Sequence, residues 1–251
     1  MVDFVFTITQ GRSGTHSLYD LFKQHDPETL AFHEHLDANA HGILTPDIGQ
    51  LRRFNTDGLT SEITAFWTRK LAIIREMTAG RGLRRYLEAA HMNAKCGLIE
   101  YALATELEDR EDRFRFIVLD RAPEKIARSI YEHGGMRHIE NMWLWYLHPL
   151  YPRNLVDSAP YSKHGYLGKL AWYVREVEAR KSAYRSRLLD EGFDVLTIDI
   201  DQPDWVDTVV RSNGFSVPTG HTQFHAARGE PTARRSTVEQ NLRDILNSIP
   251  V

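Results

Sequence analysis

The stretch FVFTITQGRSGTHSLYDLF, running from Phe4 to Phe22, passes from one periodicity to another. Phe4 to Thr9 is a short apolar, β-branched run, which predicts a strand buried in a parallel sheet. Leu18, Leu21 and Phe22 then recur at i, i+3 and i+4, the stripe of a helix packed on that sheet. Between them lies QGRSGTHS, with Gly11 and Gly14 permitting a tight path. A strand, a glycine turn and a helix in this order direct successive backbone N–H groups at a bound anion, and the helix dipole adds about half a positive charge there. Ser13, Thr15 and Ser17 offer hydroxyl donors, and Arg12 supplies a permanent charge with several N–H groups. The same turn also serves simply to join a strand to a helix.

The loop is not the triphosphate-binding motif G-x-x-x-x-G-K-[ST]. Gly11 and Gly14 are too close, the lysine is missing, and His16 follows Thr15 where that motif would end. Further along, ETLAFHEH (Glu28 to His35) reads as a second short strand, CGLIEY (Cys96 to Tyr101) as a third, and FRFIVLD (Phe114 to Asp120) as a fourth. Leu71, Ile74 and Met77 suggest one helix, and Leu83, Tyr86 and Leu87 another. Pro123 stands where a helix begins, continued by EKIARSIYEH. A long amphipathic pattern runs from about Tyr166 to Leu189 and stops near Gly192. FDVLTIDI (Phe193 to Ile200) is a fifth strand, followed by a short helix from Trp205 to Arg211 that Asn213-Gly214 ends. Strands alternating with helices predict an α/β fold of three layers, a central and mainly parallel five-stranded sheet flanked by helices. With no linker in view, residues 1–251 read as a single domain.

Composition narrows the function. Net charge is −3, from 31 basic and 34 acidic residues, so nothing pulls the chain in bulk toward nucleic acid or an anionic membrane, and any anion site is built locally. Cys96 is the single cysteine, which suits a reducing compartment. The opening MVDFVFTIT has no cationic region and enters the first strand directly, and no stretch approaches a membrane span. The expectation is a cytoplasmic protein, with self-association left open.

At GRSGTHSL the loop resembles the 5′-phosphosulfate loop of the sulfotransferase family, whose members read [KR]-S-G-T after the first strand. A second signature of that family is an arginine at the end of a later strand, a proline-containing turn, and a serine eight positions on. LDRAPEKIARSIYEH places Arg121 and Ser129 at that spacing, with Ser129 about two helical turns beyond the strand tip. The resemblance implies a P-loop-like fold and the donor 3′-phosphoadenosine 5′-phosphosulfate. Gly11, Arg12, Ser13, Gly14, Thr15, His16 and Ser17 would lie around the 5′-phosphosulfate, and Arg121 and Ser129 at the 3′-phosphate. The acceptor would be a hydroxyl or amine of a small molecule, glycan or lipid, with no metal required. Arg12, where relatives often carry lysine, would act as a charge on the leaving oxygen and not as an acid.

A base must then take the acceptor's proton. Relatives acting on protein tyrosine and heparan place a glutamate past the next strand, and Glu34 falls there. The cytosolic branch places a histidine at the end of the strand before the arginine-bearing one. With CGLIEY as that strand, the residue offered is Glu100 and the histidine is absent. Glu34 is preferred over Glu100, with His33 and His35 as further alternatives, since imidazole is poised near neutrality. His33 and His35 share a strand face, yet a third ligand at a convincing spacing is missing, so metal is not expected.

MWLWYLHPLYPRN (Met142 to Asn154) is rich in aromatics and suits either an acceptor wall or helix packing. The face of the long helix carrying Arg175, Arg180, Lys181 and Arg185 reads as solvated surface. Near the end, Arg228-Gly229 loosely resembles an Arg-Lys-Gly loop that clamps the 3′-phosphate in the cytosolic branch, with Arg234 and Arg235 beyond it. A last helix would be capped at Ser236 or Thr237, with Glu239 available for a capping box. Two other functions stay open: a nucleotide or small-molecule kinase directing Mg²⁺ with Asp120, and a non-catalytic nucleotide-binding relative.

Overall fold

The computed structural model describes residues 1–105, 112–132, 147–216 and 233–249. Five strands, β1 (Asp3–Ile8), β2 (Thr29–His33), β3 (Arg85–Ala89), β4 (Arg113–Asp120) and β5 (Asp194–Asp199), form one all-parallel sheet in the order β2-β3-β1-β4-β5. The helices between them are α1 (Thr15–His25), α2 (Glu34–Ala40), α3 (Ile48–Asp57), α4 (Ser61–Gly80), α5 (Leu98–Ala104), α6 (Pro123–Glu132), α7 (Ala159–Ser162), α8 (Gly165–Asp190), α9 (Trp205–Asn213) and α10 (Ala233–Ser248).

Both sheet faces are covered, as a parallel sheet requires. Val5, Leu87, Ile117, Leu119 and Ile198 point to one side, where Leu18, Leu21 and Phe22 of α1 and Val206 and Val209 of α9 close the layer. Phe4, Phe6, Tyr86, Phe114 and Phe116 point to the other, against Phe54 of α3, Trp67, Leu71 and Ile74 of α4, and α5. A third apolar cluster joins α6, α8 and α10 through Ile126, Trp172, Tyr173, Val177 and Leu242. The three-layer α/β expectation and its five parallel strands hold.

Two elements differ from the expectation. Tyr86 and Leu87 belong to strand β3 and not to a helix. They lie on opposite sheet faces, so their burial follows from a two-sided environment and the helical spacing of Leu83, Tyr86 and Leu87 is incidental. Glu88, fully buried against Lys70 of α4 at 2.8 Å, interrupts the apolar run by which such a strand is recognised. CGLIEY is in turn the start of helix α5: Gly97 takes a φ of 75 and Leu98 opens the helix. A six-residue apolar run does not reveal whether it is buried as strand or as helix.

The remaining differences are local. Arg180 and Lys181 of α8 are buried, where a solvated face was expected, because Glu176 and Glu178 of the same helix, the Asn55 side chain of α3, and Asp120 and the Leu119 carbonyl of β4 meet them. The last helix is already under way at Ala233, so Ser236 and Thr237 stand within its early turns and do not cap it. Gly192 and Gly214 take positive φ after α8 and α9, as expected of helix ends.

Candidate functional site

The sheet order turns back on itself at β1. The crossover from β1 leads to one side, toward β2 and β3, and the chain then passes to β4 and β5 on the other. Such a point opens a crevice beyond the carboxyl ends of the strands. Thr9 to Gly14 from β1, Arg121 from β4, Glu34 from β2 and the turn after β3 all start there.

Gly11, Arg12 and Gly14 adopt φ values of 77, 55 and 90. The loop therefore coils in the left-handed region, where glycine is at ease and arginine is strained. Gly14 precedes α1, whose first N–H groups receive no side-chain cap from it. An uncapped helix start at the mouth of a crevice favours an anion. A Cβ on Gly14 would approach Ile200 Cδ1 to 3.0 Å. Ser13 is buried with its hydroxyl on Thr9 Oγ1, and Thr15 Oγ1 lies 3.2 Å from His33 Nε2. His16 is exposed and pairs with Asp20 at 2.7 Å, and Ser17 sits half-buried in the first turn of α1.

Residues far apart in sequence meet at this loop. Arg121 leaves β4 and donates from Nη1 to the Arg12 carbonyl at 2.8 Å, and Arg12 Nε donates to Ser129 Oγ of α6 at 3.0 Å. The Arg121 Nε–H is buried and makes no hydrogen bond among the described residues, with Asp201 at 3.8 Å. Burial lowers the Arg121 pKa, Asp201 opposes that shift, and the nearby Arg128 and Arg12 lower it further. The guanidiniums of Arg12 and Arg121 meet at the loop, with Asp201 near Arg121 and Arg128 paired to Glu239 behind them, so positive charge gathers where a phosphate or sulfate could be held.

The opposite wall carries a carboxylate between two imidazoles. Glu34, at the start of α2, holds a φ of 60 and lies 3.8 Å from both His33 Nε2 and His91 Nε2. Burial lowers the His33 pKa, against the pull of Glu34, so its ring is neutral at physiological pH. His91 sits two residues beyond β3 and is buried, and its Cβ is 3.4 Å from where a Cβ on Gly11 would be. Lys95 fastens this turn by donating to the carbonyls of Ala90 at 2.6 Å and His91 at 3.2 Å. The sequence does not single out His91, because the helical spacing of Leu83, Tyr86 and Leu87 hides the strand that precedes it. With RYLEA as the strand before the arginine-bearing one, His91 stands two residues past the end of that strand.

Glu100 stands apart. It lies on α5, not at a strand tip, where its Oε1 accepts from Tyr184 of α8 at 2.9 Å and faces Arg153 at 3.7 Å. His35 lies in the first turn of α2. Arg228, Gly229 and Met142 to Tyr146 fall outside the described residues. Asp120 is in contact with the buried ammonium of Lys181, which neutralises the carboxylate that a Mg²⁺-directing role would need. No protein-family model matches this chain, and no curated protein matches it.

Proposed function

We propose that the chain is a sulfotransferase, moving a sulfuryl group from 3′-phosphoadenosine 5′-phosphosulfate to a hydroxyl or amine of a small molecule, glycan or lipid. The observation that carries this reading is the meeting of Arg12, Arg121 and Ser129, which stand 109 and 117 positions apart along the chain. The residues present suit such a donor: a left-handed glycine loop, an uncapped helix start, and a buried arginine N–H with no hydrogen bond among the described residues.

The donor supplies an activated sulfuryl group. The amides from Ser13 to His16 would hold its 5′-phosphate, and Arg121 and Ser129 its 3′-phosphate. Catalysis of in-line transfer rests on alignment and on charge placed where it develops. Arg12 would contribute that charge from its place beside Ser129. Glu34 and His91 would serve as the base, the carboxylate standing 3.8 Å from the imidazole Nε2 at the mouth of the crevice. The kinase reading is disfavoured by the Lys181–Asp120 contact.

Thermal denaturation with nucleotides tests the proposal, since a ligand at about 100 times its Kd adds about 2.7 kcal/mol to the folded state. We expect 3′,5′-adenosine bisphosphate to raise Tm without metal, and ADP with Mg²⁺ to leave it unchanged. The reverse ranking would return the protein to the kinase reading.

A further inference from the structure

We propose that Lys181 is a positioning residue, an internal cation that locks the two halves of the anion site together. Its role in donor binding rests on the sulfotransferase reading, whereas its hold on the loop does not. Lys181 lies on the long helix α8 and is only 4% exposed. Its ammonium touches the Asp120 carboxylate at the end of β4, lies 2.7 Å from Glu178 Oε1, and reaches the Leu119 carbonyl at 3.5 Å. Those three acceptors match the three donors of an ammonium.

Each partner leads to one half of the site. Glu178 Oε1 also accepts from Gln10 Nε2 at 2.9 Å, and Gln10, almost fully buried, is the residue just before Gly11. The Gln10 carbonyl accepts from Tyr173 of the same helix at 3.1 Å. Asp120, for its part, is followed directly by Arg121, whose guanidinium returns to the Arg12 carbonyl at 2.8 Å. The contacts close a ring: Lys181 to Asp120, along the chain to Arg121, across to Arg12, back along the chain to Gln10, across to Glu178, and home to Lys181. A closed ring fixes the distance between the tips of β1 and β4. It also holds Arg12 in a left-handed conformation that a non-glycine residue does not favour by itself.

Without the ammonium, two carboxylates would face each other beside a crevice built for an anion. The tips would spread, and the field at the site would turn less positive. One lysine thereby does structurally what the kinase reading would assign to a metal ion at Asp120.

The test compares native protein with Lys181→Met, which keeps the stem and removes the charge, and with Glu178→Gln, a milder break at a partly exposed side chain. Amide hydrogen exchange is followed across residues 9–14 in the free proteins, and calorimetry measures 3′,5′-adenosine bisphosphate binding. The expected result is faster exchange at Gly11 to Gly14 in both variants, with α4 and α9 as protected as before. Nucleotide binding should weaken by about tenfold or more, since small misplacements of site groups carry large penalties. If Lys181→Met fails to fold, Glu178→Gln alone carries the same expectation. Unchanged loop exchange in the folded variants would overturn the proposal, as would faster exchange spread evenly over the whole molecule. If native protein does not bind the bisphosphate, the donor reading falls, and the exchange comparison still decides the ring.

Discussion

Beneath the turn that carries His91, Lys70 and Glu88 are both 0% exposed and 2.8 Å apart. The Glu88 carboxylate also accepts from the Tyr86 hydroxyl at 2.7 Å. Burial by itself would push the Glu88 pKa up. Lys70, Lys95 and the Tyr86 hydroxyl outweigh it and hold that pKa below the usual value. At 2.8 Å a pair attracts by about 6 kcal/mol at an effective dielectric near 20. That gain is of the same order as the several kcal/mol needed to strip water from each ion. The intact pair therefore contributes little net stability, but breaking it is costly. Glu88→Gln keeps the shape and an acceptor for Tyr86, yet leaves the Lys70 ammonium buried with the Trp67 ring 5.0 Å away. We expect a loss of about 3–5 kcal/mol, or roughly 6–20 °C in Tm for a chain of this size. The double variant Lys70→Met/Glu88→Gln removes both charges and should recover most of the loss. Urea unfolding with linear extrapolation measures all of these. The sign with pH follows: a carboxylate with a depressed folded pKa lends stability above its unfolded value near 4.5, lost as pH falls through the folded one. Glu88→Gln should flatten the acid limb of the stability curve. A single variant within about 1 kcal/mol of native, or a double variant no better than the single, would refute the reasoning.

Three further outcomes are expected. Gly14→Ala should cost about 1–2 kcal/mol of left-handed strain plus the clash with Ile200, and weaken nucleotide binding. Gly42→Ala, at a φ of 84 with nothing within 4 Å, should show the strain alone, and equal losses by chemical denaturation would count against the clash. His91→Ala and Glu34→Gln should each lower kcat by about 10²- to 10⁴-fold with bisphosphate affinity held, and a variant at full rate removes its residue from the base. Burial pushes the Cys96 thiol up to about 12. The native protein should therefore resist iodoacetamide at pH 8 by mass spectrometry, and stability should fall as pH rises from near 9, where the unfolded thiol ionises, toward 12. Alkylation of native protein at the unfolded rate would contradict that burial.

How far the residues alone could be read depended on how local each signal was. β1, α1, β4 and α6 were legible because period, glycine, proline and strand length agree within a few residues. The same locality made Arg12, Arg121 and Ser129 visible as two motifs. β3 and α5 were not legible, since their apolar residues are buried on all sides and Glu88 is tolerated only through Lys70, eighteen positions earlier. The misplacement of β3 carried straight into the site: Glu100 was expected at the strand tip beyond which His91 stands, and it lies on α5 instead.

By itself the sequence determined the alternation of strands and helices, the strand–glycine turn–helix form of the first loop, and the motif spacing that resembles a sulfotransferase. Only the tertiary structure decided that Arg121 and Ser129 meet Arg12, that His91 faces Glu34, and that Lys181 is buried between carboxylates from two elements. The reason is physical: turn and helix preferences act over a few residues of chain. A buried charge is acceptable only where partners from distant elements converge on it, and that convergence exists only once the sheet has formed.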